Sequence, residues 1–348
     1  MKTEVFRICT PEDPQVKQAA EILRRGGLLG IPTETVYGLG ADGLNAQAVR
    51  NIFLAKGRPQ DNPLILHVPS AEWIDRYCEN VPPQAYALAE RFWPGPLTMI
   101  LPRKPVVPLE TTGGLETVGL RCPRHPVTLA ILRAADRPVA APSGNTSGRP
   151  SPTNAGDMLE DMDGKIDALV DGGPCSVGVE STIIDLTVTP PRLLRPGGLP
   201  LEQLEEILGA VDVDKAVKGL LSPDERPRAP GMKYRHYAPR AAVTVVTGKG
   251  KNGADYILRH LKENSGVICF DEYAALFPGH KVYAIGAEKD LAQQARAVFH
   301  ALRSFDETDV TEIYAQCPDE RDLGLAIANR LKKAAGFQIV NADDEAQR

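Results

Sequence analysis

Lys56-Gly57-Arg58-Pro59 sets two cations two residues apart, and far downstream Ser143-Gly144-Asn145 offers a hydroxyl, an amide and a residue with no side chain. Fixed cations beside a small polar loop bind phosphate. Arginine presents a planar fork of donors, lysine a mobile point charge, and small residues let backbone N–H groups come close to an anion. The stretch Pro32-Thr33-Glu34-Thr35-Val36-Tyr37-Gly38-Leu39-Gly40 adds hydroxyls where a strand gives way to a loop, a usual place for a small polar ligand.

Each feature also has a plainer reading. Lys56 and Arg58 at the end of a helix would complement its dipole, and the run of Ser, Gly, Asn and Pro over residues 142–151 favours turns whether or not anything binds there. Their surroundings weigh toward binding. Asp61-Asn62-Pro63 follows at once and a buried strand ends in His67, which places Arg58, Asn62 and His67 along one wall. The downstream loop directly follows an apolar strand, and Ser143 and Ser151 supply hydroxyl donors. Val179-Glu180-Ser181-Thr182 and Leu194-Arg195-Pro196-Gly197-Gly198 sit at strand ends in the same way. His67 alone fits a structural role as well as a functional one.

Gly38-Leu39-Gly40-Ala41-Asp42-Gly43 matches G-x-G-x-x-G, with Asp61 downstream. Residues 32–37 intervene between the strand and the first glycine, however, and Asn45 caps the helix afresh. A dinucleotide site is therefore disfavoured, and these glycines are expected to turn the backbone. There is no Walker A motif, and no Ser-His-Asp or Cys-His order in a supporting context, so neither a P-loop nor a covalent nucleophile is indicated.

Periodicity supplies the elements that must position these residues. A helix over 14–25 with Asp13 as its cap, a buried strand over 28–31, a helix from the Asn45 cap to Lys56 and a strand over 63–68 put Lys56 and Arg58 where a helix ends. A helix over 83–93, strands over 97–101 and 117–121, a helix over 127–135, strands over 138–141, 167–170, 181–186 and 192–194, and a closing helix over 201–208 make a mixed α/β sheet domain of residues 1–208. Residues 209–241, rich in proline and charge with little apolar periodicity, read as an extended linker. Within it, Pro230-Gly231-Met232-Lys233-Tyr234-Arg235-His236-Tyr237-Ala238-Pro239 carries more aromatic and cationic residues than a spacer needs, which suggests a lid over the cavity with Tyr234 touching the nucleotide. Beyond it, strands over 242–246, 266–270, 281–285 and 310–314 alternate with helices over 254–263, 291–303 and 321–333, the pattern of a small parallel α/β domain over 242–348.

A chain of 348 residues suits two domains, and a net charge of −5 supplies no broad basic footprint for a nucleic-acid backbone. The charged N-terminus and the lack of a long apolar run point to a cytoplasmic protein away from membranes. The 6 cysteines lack a C-x-x-C pair and read as reduced thiols, and Cys122-Pro123-Arg124-His125 alone does not make a zinc site.

Taken in order, these motifs resemble the threonylcarbamoyl-AMP synthase family in its two-domain form, from about Asp13 onward. The resemblance implies an N-terminal YrdC-like domain with a twisted mixed sheet and an open cavity, and a smaller Rossmann-like C-terminal domain. It implies a nucleotidyltransferase that combines L-threonine, bicarbonate and ATP into threonylcarbamoyl-AMP and pyrophosphate, the product passing to the transferase machinery that modifies tRNA. The positions that match the family's threonine pocket are Thr35, His67, Arg121, the backbone at Ala141, and Ser181. Those that match its ATP pocket are Arg58, Asn62, Thr117, Ser143, Ser151, Arg195 and Tyr234, with Lys56 and Asn145 in the same signature; Lys56, Arg58, Ser143 and Asn145 are read as catalytic. No side-chain metal site is indicated, and magnesium is expected to be held by phosphates and water. Two other readings stay open: a different carbamoyl-adenylate enzyme of the same fold, disfavoured by the missing acylphosphatase-like segment and zinc-finger cysteines, and an RNA-binding module, disfavoured by the acidic balance. Whether tRNA is contacted directly is left open.

Overall fold

Asn45 starts the helix that delivers the first cations: its Oδ1 accepts from the N–H groups of Gln47 and Ala48, and the helix runs Ala46–Lys56. Gly57, at φ 61°, stops it in the left-handed conformation that glycine adopts at no steric cost. The turn brings the Arg58 N–H onto the Phe53 carbonyl at 2.9 Å and sends the Arg58 side chain inward. The computed structural model describes residues 2–219, 225–232 and 236–345.

An 11-stranded mixed sheet forms the N-terminal part, ordered Glu4–Arg7, Ala168–Asp171, Leu29–Ile31, Gly38–Asp42, Val139–Ala140, Ile65–His67, Thr117–Arg121, Leu97–Pro102, Thr182–Asp185, Arg192–Arg195 and Asp212–Val213. Its middle gathers the strand ends that matter. His67 pairs in register with Arg121, and Leu66 with Ala140, while the N–H of Ala141 donates to Ile65 and Ser143 forms an isolated bridge with Gly38. Because side chains alternate faces along a strand, Ile65 and His67 look the same way, into one hollow. Helices Gln15–Arg24, Ala46–Lys56, Pro83–Phe92, Pro126–Ala135 and Ala155–Met162 flank the sheet, most of them burying apolar faces against it.

Most boundaries expected from periodicity fall within two residues of those observed, and Asp13 Oδ1 does accept from the N–H of Gln15 at 2.8 Å. The glycines of the G-x-G-x-x-G run are a correction. Gly38 and Gly40 lie in the strand Gly38–Asp42 while Gly43 does sit in the turn that follows, and a Cβ on Gly40 would sit 2.8 Å from Val139 Cγ1 and one on Gly43 2.2 Å from Leu66 Cδ2. Close strand packing requires them there. Several elements were not announced by the sequence pattern, among them strand Glu4–Arg7, helix Ala155–Met162, strand Ile339–Asn341, and, within the span read as linker, helix Lys215–Lys218 and the edge strand Asp212–Val213, which pairs in parallel with Arg192 and Leu193.

The C-terminal part is a 5-stranded parallel sheet ordered Lys281–Ala284, Ser265–Cys269, Glu312–Gln316, Ala242–Thr247, Ile339–Asn341, with helices Gly250–His260, Leu291–Ser304 and Leu323–Ala334. Val36, Val179 and Tyr237 join its core beside Val298, Phe299, Ile327 and Leu331, so the two parts share buried surface. At Gly178, a Cβ would lie 2.4 Å from Arg296 Cα, the closest approach the backbones allow. Among the described residues no helix is long and apolar enough to cross a membrane.

Candidate active site

One cavity at the centre of the mixed sheet is lined by Thr33, Lys56, Arg58, His67, Arg121, Ala141, Ser143, Asn145, Glu180, Ser181 and Arg195, and is closed by Pro230, Gly231, His236 and Tyr237. The space left among them is about 50 Å³, enough for a few water molecules. Nine of the residues expected from sequence meet here. Among the rest, Thr35 lies behind Thr33, its hydroxyl 2.9 Å from the Thr33 hydroxyl, and Ser151 lies behind Glu180, donating to Oε1 at 2.7 Å. Asn62 is buried beneath Arg58, and Thr117 stands at the far end of the strand from Arg121, about 13 Å along it. Tyr234 lies outside the described residues.

Lys56 is a buried cation that spends its ammonium on the loop after strand Val139–Ala140: Nζ donates to the Ser143 carbonyl at 2.5 Å and to the Asn145 carbonyl. The sequence reading of a mobile point charge is therefore corrected. A buried ammonium needs such acceptors. Burial, then Arg58, pushes its pKa well below the ordinary lysine value. The loop is tied internally as well, since the Ser143 hydroxyl donates to Asn145 Oδ1 at 2.5 Å and Asn145 Nδ2 donates to the carbonyls of Thr146 and Arg149. Arg58 Nη2 donates to the carbonyls of Asn62 and Pro63 at 3.4 and 3.3 Å, holding the turn that follows it.

Arg121 and Glu34 form a buried ion pair at 2.8 Å, and Arg121 Nε donates to the Gly95 carbonyl at 3.4 Å. His67 directs Nδ1 to the Ile65 carbonyl at 3.2 Å. Burial, with the Arg121 charge, takes the ring pKa down to about 3, so His67 is neutral at physiological pH and a weak base. Arg195 donates from Nε and Nη2 to the Ser181 carbonyl, from Nη2 to the Ser181 hydroxyl at 3.2 Å, and from Nη1 to the Pro230 carbonyl at 3.2 Å.

Sequence reasoning quoted Glu34 and Glu180 without giving them roles. Each is the single acid in a small-residue turn, and each is buried against an arginine distant in sequence. Glu180 Oε2 accepts from Arg330 Nε at 2.6 Å, and Arg330 comes from helix Leu323–Ala334. Burial alone would raise the Glu180 carboxyl. The guanidinium groups of Arg330 and Arg195 and the Ser151 hydroxyl outweigh it and hold the pKa at about 2. From the same helix, Lys333 Nζ donates to the Gly231 carbonyl. Burial, then Arg330 and Arg195, lower that ammonium to about 7. Lys56, Arg58, Arg121 and Arg195 thus face Glu34 and Glu180, a net excess of fixed positive charge suited to an anion. Among the described residues no three His, Cys, Asp or Glu side chains come together as a metal site.

Comparison with known proteins agrees with this architecture. The family model described as telomere recombination matches residues 21–197, and the one described as threonylcarbamoyl-AMP synthase, C-terminal domain, matches residues 199–336. A threonylcarbamoyl-AMP synthase of Pyrococcus abyssi is 47% identical over 335 residues, covering 94% of this chain and 96% of that protein. One from Bacillus subtilis is 44% identical over 332 residues, covering 94% and 95%. The crystal structure of P. abyssi Sua5 complexed with L-threonine superposes with a TM-score of 0.88 at 44% identity, over 98% of this chain and 99% of that one.

Proposed function

Because the chain belongs to the threonylcarbamoyl-AMP synthase family, we propose that its central cavity joins L-threonine, bicarbonate and ATP into threonylcarbamoyl-AMP, with loss of pyrophosphate and water, for tRNA modification. The observation that carries this reading is the convergence of Lys56, Arg58, Arg121 and Arg195 on one cavity, where Glu34 and Glu180 are the carboxylates described beside them. The threonine amine and bicarbonate combine to a carbamate, a carbamate oxygen attacks the α-phosphorus, and the bond to the β-phosphate bridging oxygen breaks. Every species in that sequence is an anion, so positioning and charge stabilisation are the main tasks.

Arg58 and Arg195 serve the phosphates, and Lys56 acts through the loop it holds and through its charge. Arg121 retains Nη1 beyond its contacts with Glu34 and Gly95, and we assign it to the threonine carboxylate. Thr35, His67, the Ala141 backbone and Ser181 complete the amino-acid side; Asn62, Thr117, Ser143, Asn145 and Ser151 complete the nucleotide side. His67, at a pKa of about 3, orients substrate and is not the base that strips the amine. Magnesium arrives with the triphosphate, held by phosphates and water, since both carboxylates are engaged by arginines.

The segment around residues 230–237 acts as a lid. With about 50 Å³ free beneath it, a nucleotide enters only when it withdraws, and its return excludes water from a hydrolysis-prone adenylate; Tyr234 meets the nucleotide in that closed state. The test is direct. Pure protein with ATP, bicarbonate and each amino acid in turn should release pyrophosphate and yield an amino-acid carbamoyl adenylate by mass spectrometry with threonine. Release independent of bicarbonate, or equal with every amino acid, overturns the reading.

A further inference from the structure

Arg330 lies in the C-terminal part, yet it is fully buried against the catalytic cavity of the N-terminal part. Three contacts define its place. Nε donates to Glu180 Oε2 at 2.6 Å, Nη1 donates to Asn329 Oδ1 at 3.0 Å, and the guanidinium carbon lies 5.5 Å from the centre of the Tyr237 ring. Asn329 is anchored in turn, its Nδ2 donating to the Val217 carbonyl at 3.0 Å. On the far side Tyr237 packs against Phe299, with ring centres 5.1 Å apart. One guanidinium therefore touches the residue that closes the cavity and the carboxylate in its wall. That carboxylate also accepts from Ser151, and its neighbour Ser181 receives Arg195.

A planar guanidinium suits this double duty, since its edge donates in fixed directions and its face stacks on an aromatic ring. If Tyr237 withdraws, it leaves that face and the charge pair loses its cover against water. If Glu180 shifts, the face turns away from Tyr237. One guanidinium joins the two.

We propose that Arg330 is a positioning residue for the nucleotide, coupling the seating of Tyr237 over the cavity to the placement of Glu180 and, through it, of Ser151. This rests on the functional reading above and deepens it by giving the C-terminal part a role in the reaction.

The test uses the full chain and the variants Arg330→Met, which keeps bulk without charge, and Arg330→Lys, which keeps charge without the fork. ATP affinity by calorimetry and KM for ATP should weaken on the order of tenfold in Arg330→Met, as expected of coupled sites, while KM for threonine stays within about twofold. Hydrogen exchange over residues 229–240 should lose the slowing that ATP brings. Arg330→Lys should recover part of both effects. An ATP affinity and an ATP-dependent slowing equal to wild type overturn the proposal, and so does a parallel rise in both KM values, which marks general loosening. Should Arg330→Met not fold because Glu180 is left unpaired, the double variant Glu180→Gln/Arg330→Met, which buries no lone charge, is read by the same criteria. Absence of threonine- and bicarbonate-dependent turnover in the wild type would remove the functional reading and leave the affinity and exchange measurements to judge the coupling.

Discussion

The two walls of the cavity are held in different ways. Arg58, His67 and Arg121 take their bonds from residues 34 to 95 of the same sheet domain, so that wall is complete within the N-terminal part. The opposite wall, made by residues 143–151, Glu180 and Ser181, leans on two helices of the C-terminal part. Arg303 donates to the Pro150 carbonyl at 2.8 Å and pairs with Asp161 at 2.5 Å, and Arg330 holds Glu180. Lys333 holds Gly231 of the closing segment. The first wall draws these contacts from its own sheet domain, and the second takes contacts from the C-terminal part as well. Damage at the interface should thus reach residues 143–151 and Glu180 and spare His67 and Arg121.

The largest expected effect sharpens that contrast. Valine should be used on the order of 10⁴-fold less well than threonine, because a pocket that pairs with a hydroxyl leaves its own polar groups unsatisfied when the hydroxyl is missing; serine should lose only ~1–3 kcal/mol. Competition assays on wild type and Arg303→Ala should return the same ratios, and a collapse of the ratio in the interface variant would erase the distinction between the walls.

Next comes Arg58→Ala, expected to lower kcat by about 10²–10³ through loss of phosphate stabilisation. Arg58 and Arg195 are 9% and 6% exposed, so neither is a surface cation whose removal costs little stability. Removing the Arg58 donors should also cost about 1–3 kcal/mol in urea unfolding. Wild-type activity in this variant would end the assignment of Arg58 to phosphate.

Glu180 gives a pH signature for the other wall. Its carboxyl falls from the usual 4.5 to about 2 on folding, so its contribution is full above pH 4.5 and is lost as pH drops toward 2. The shift corresponds to about 3 kcal/mol. Glu180→Gln should be less stable than wild type by about that amount at pH 7, and the gap should narrow through pH 4 to 3. A gap that does not change with pH would mean that packing, not charge, holds this wall.

The smallest effect belongs to the rim of the interface. Arg149 pairs with Glu160, Asp161 and Asp306 but is 26% exposed, so Arg149→Ala should cost no more than about 1 kcal/mol in thermal unfolding. A loss several times larger would move the latch between the parts from Arg330 to this cluster.

Much of the first wall was legible in the sequence because it is local. Lys56, Gly57, Arg58, Asn62 and His67 lie in one short stretch whose cap, stop and strand are marked by Asn45, Gly57 and apolar residues. Glu180 and Arg330 are 150 positions apart, and nothing local to either signals a buried pair. Helix Ala155–Met162 was missed because it mixes acids into a short apolar pattern, although Asn154 caps it. The family resemblance placed Arg121 and Ser181 at the site, but Glu34 as the partner of Arg121 emerges only when the sheet is assembled.

The outermost strand has a consequence for the order in which the chain is made. Glu4–Arg7 pairs in parallel with Ala168–Asp171. Once made, this strand therefore has no partner until about 160 further residues have followed, roughly 10–30 s at ordinary rates of synthesis. Through that interval the pairing of Gly38–Asp42 with Leu29–Ile31, whose contacts are close in sequence, is already available. Strand Glu4–Arg7 is then added at the sheet edge, so a nascent chain arrested before residue 168 should already protect Leu29–Asp42 from proteolysis while Glu4–Arg7 remains open to cleavage.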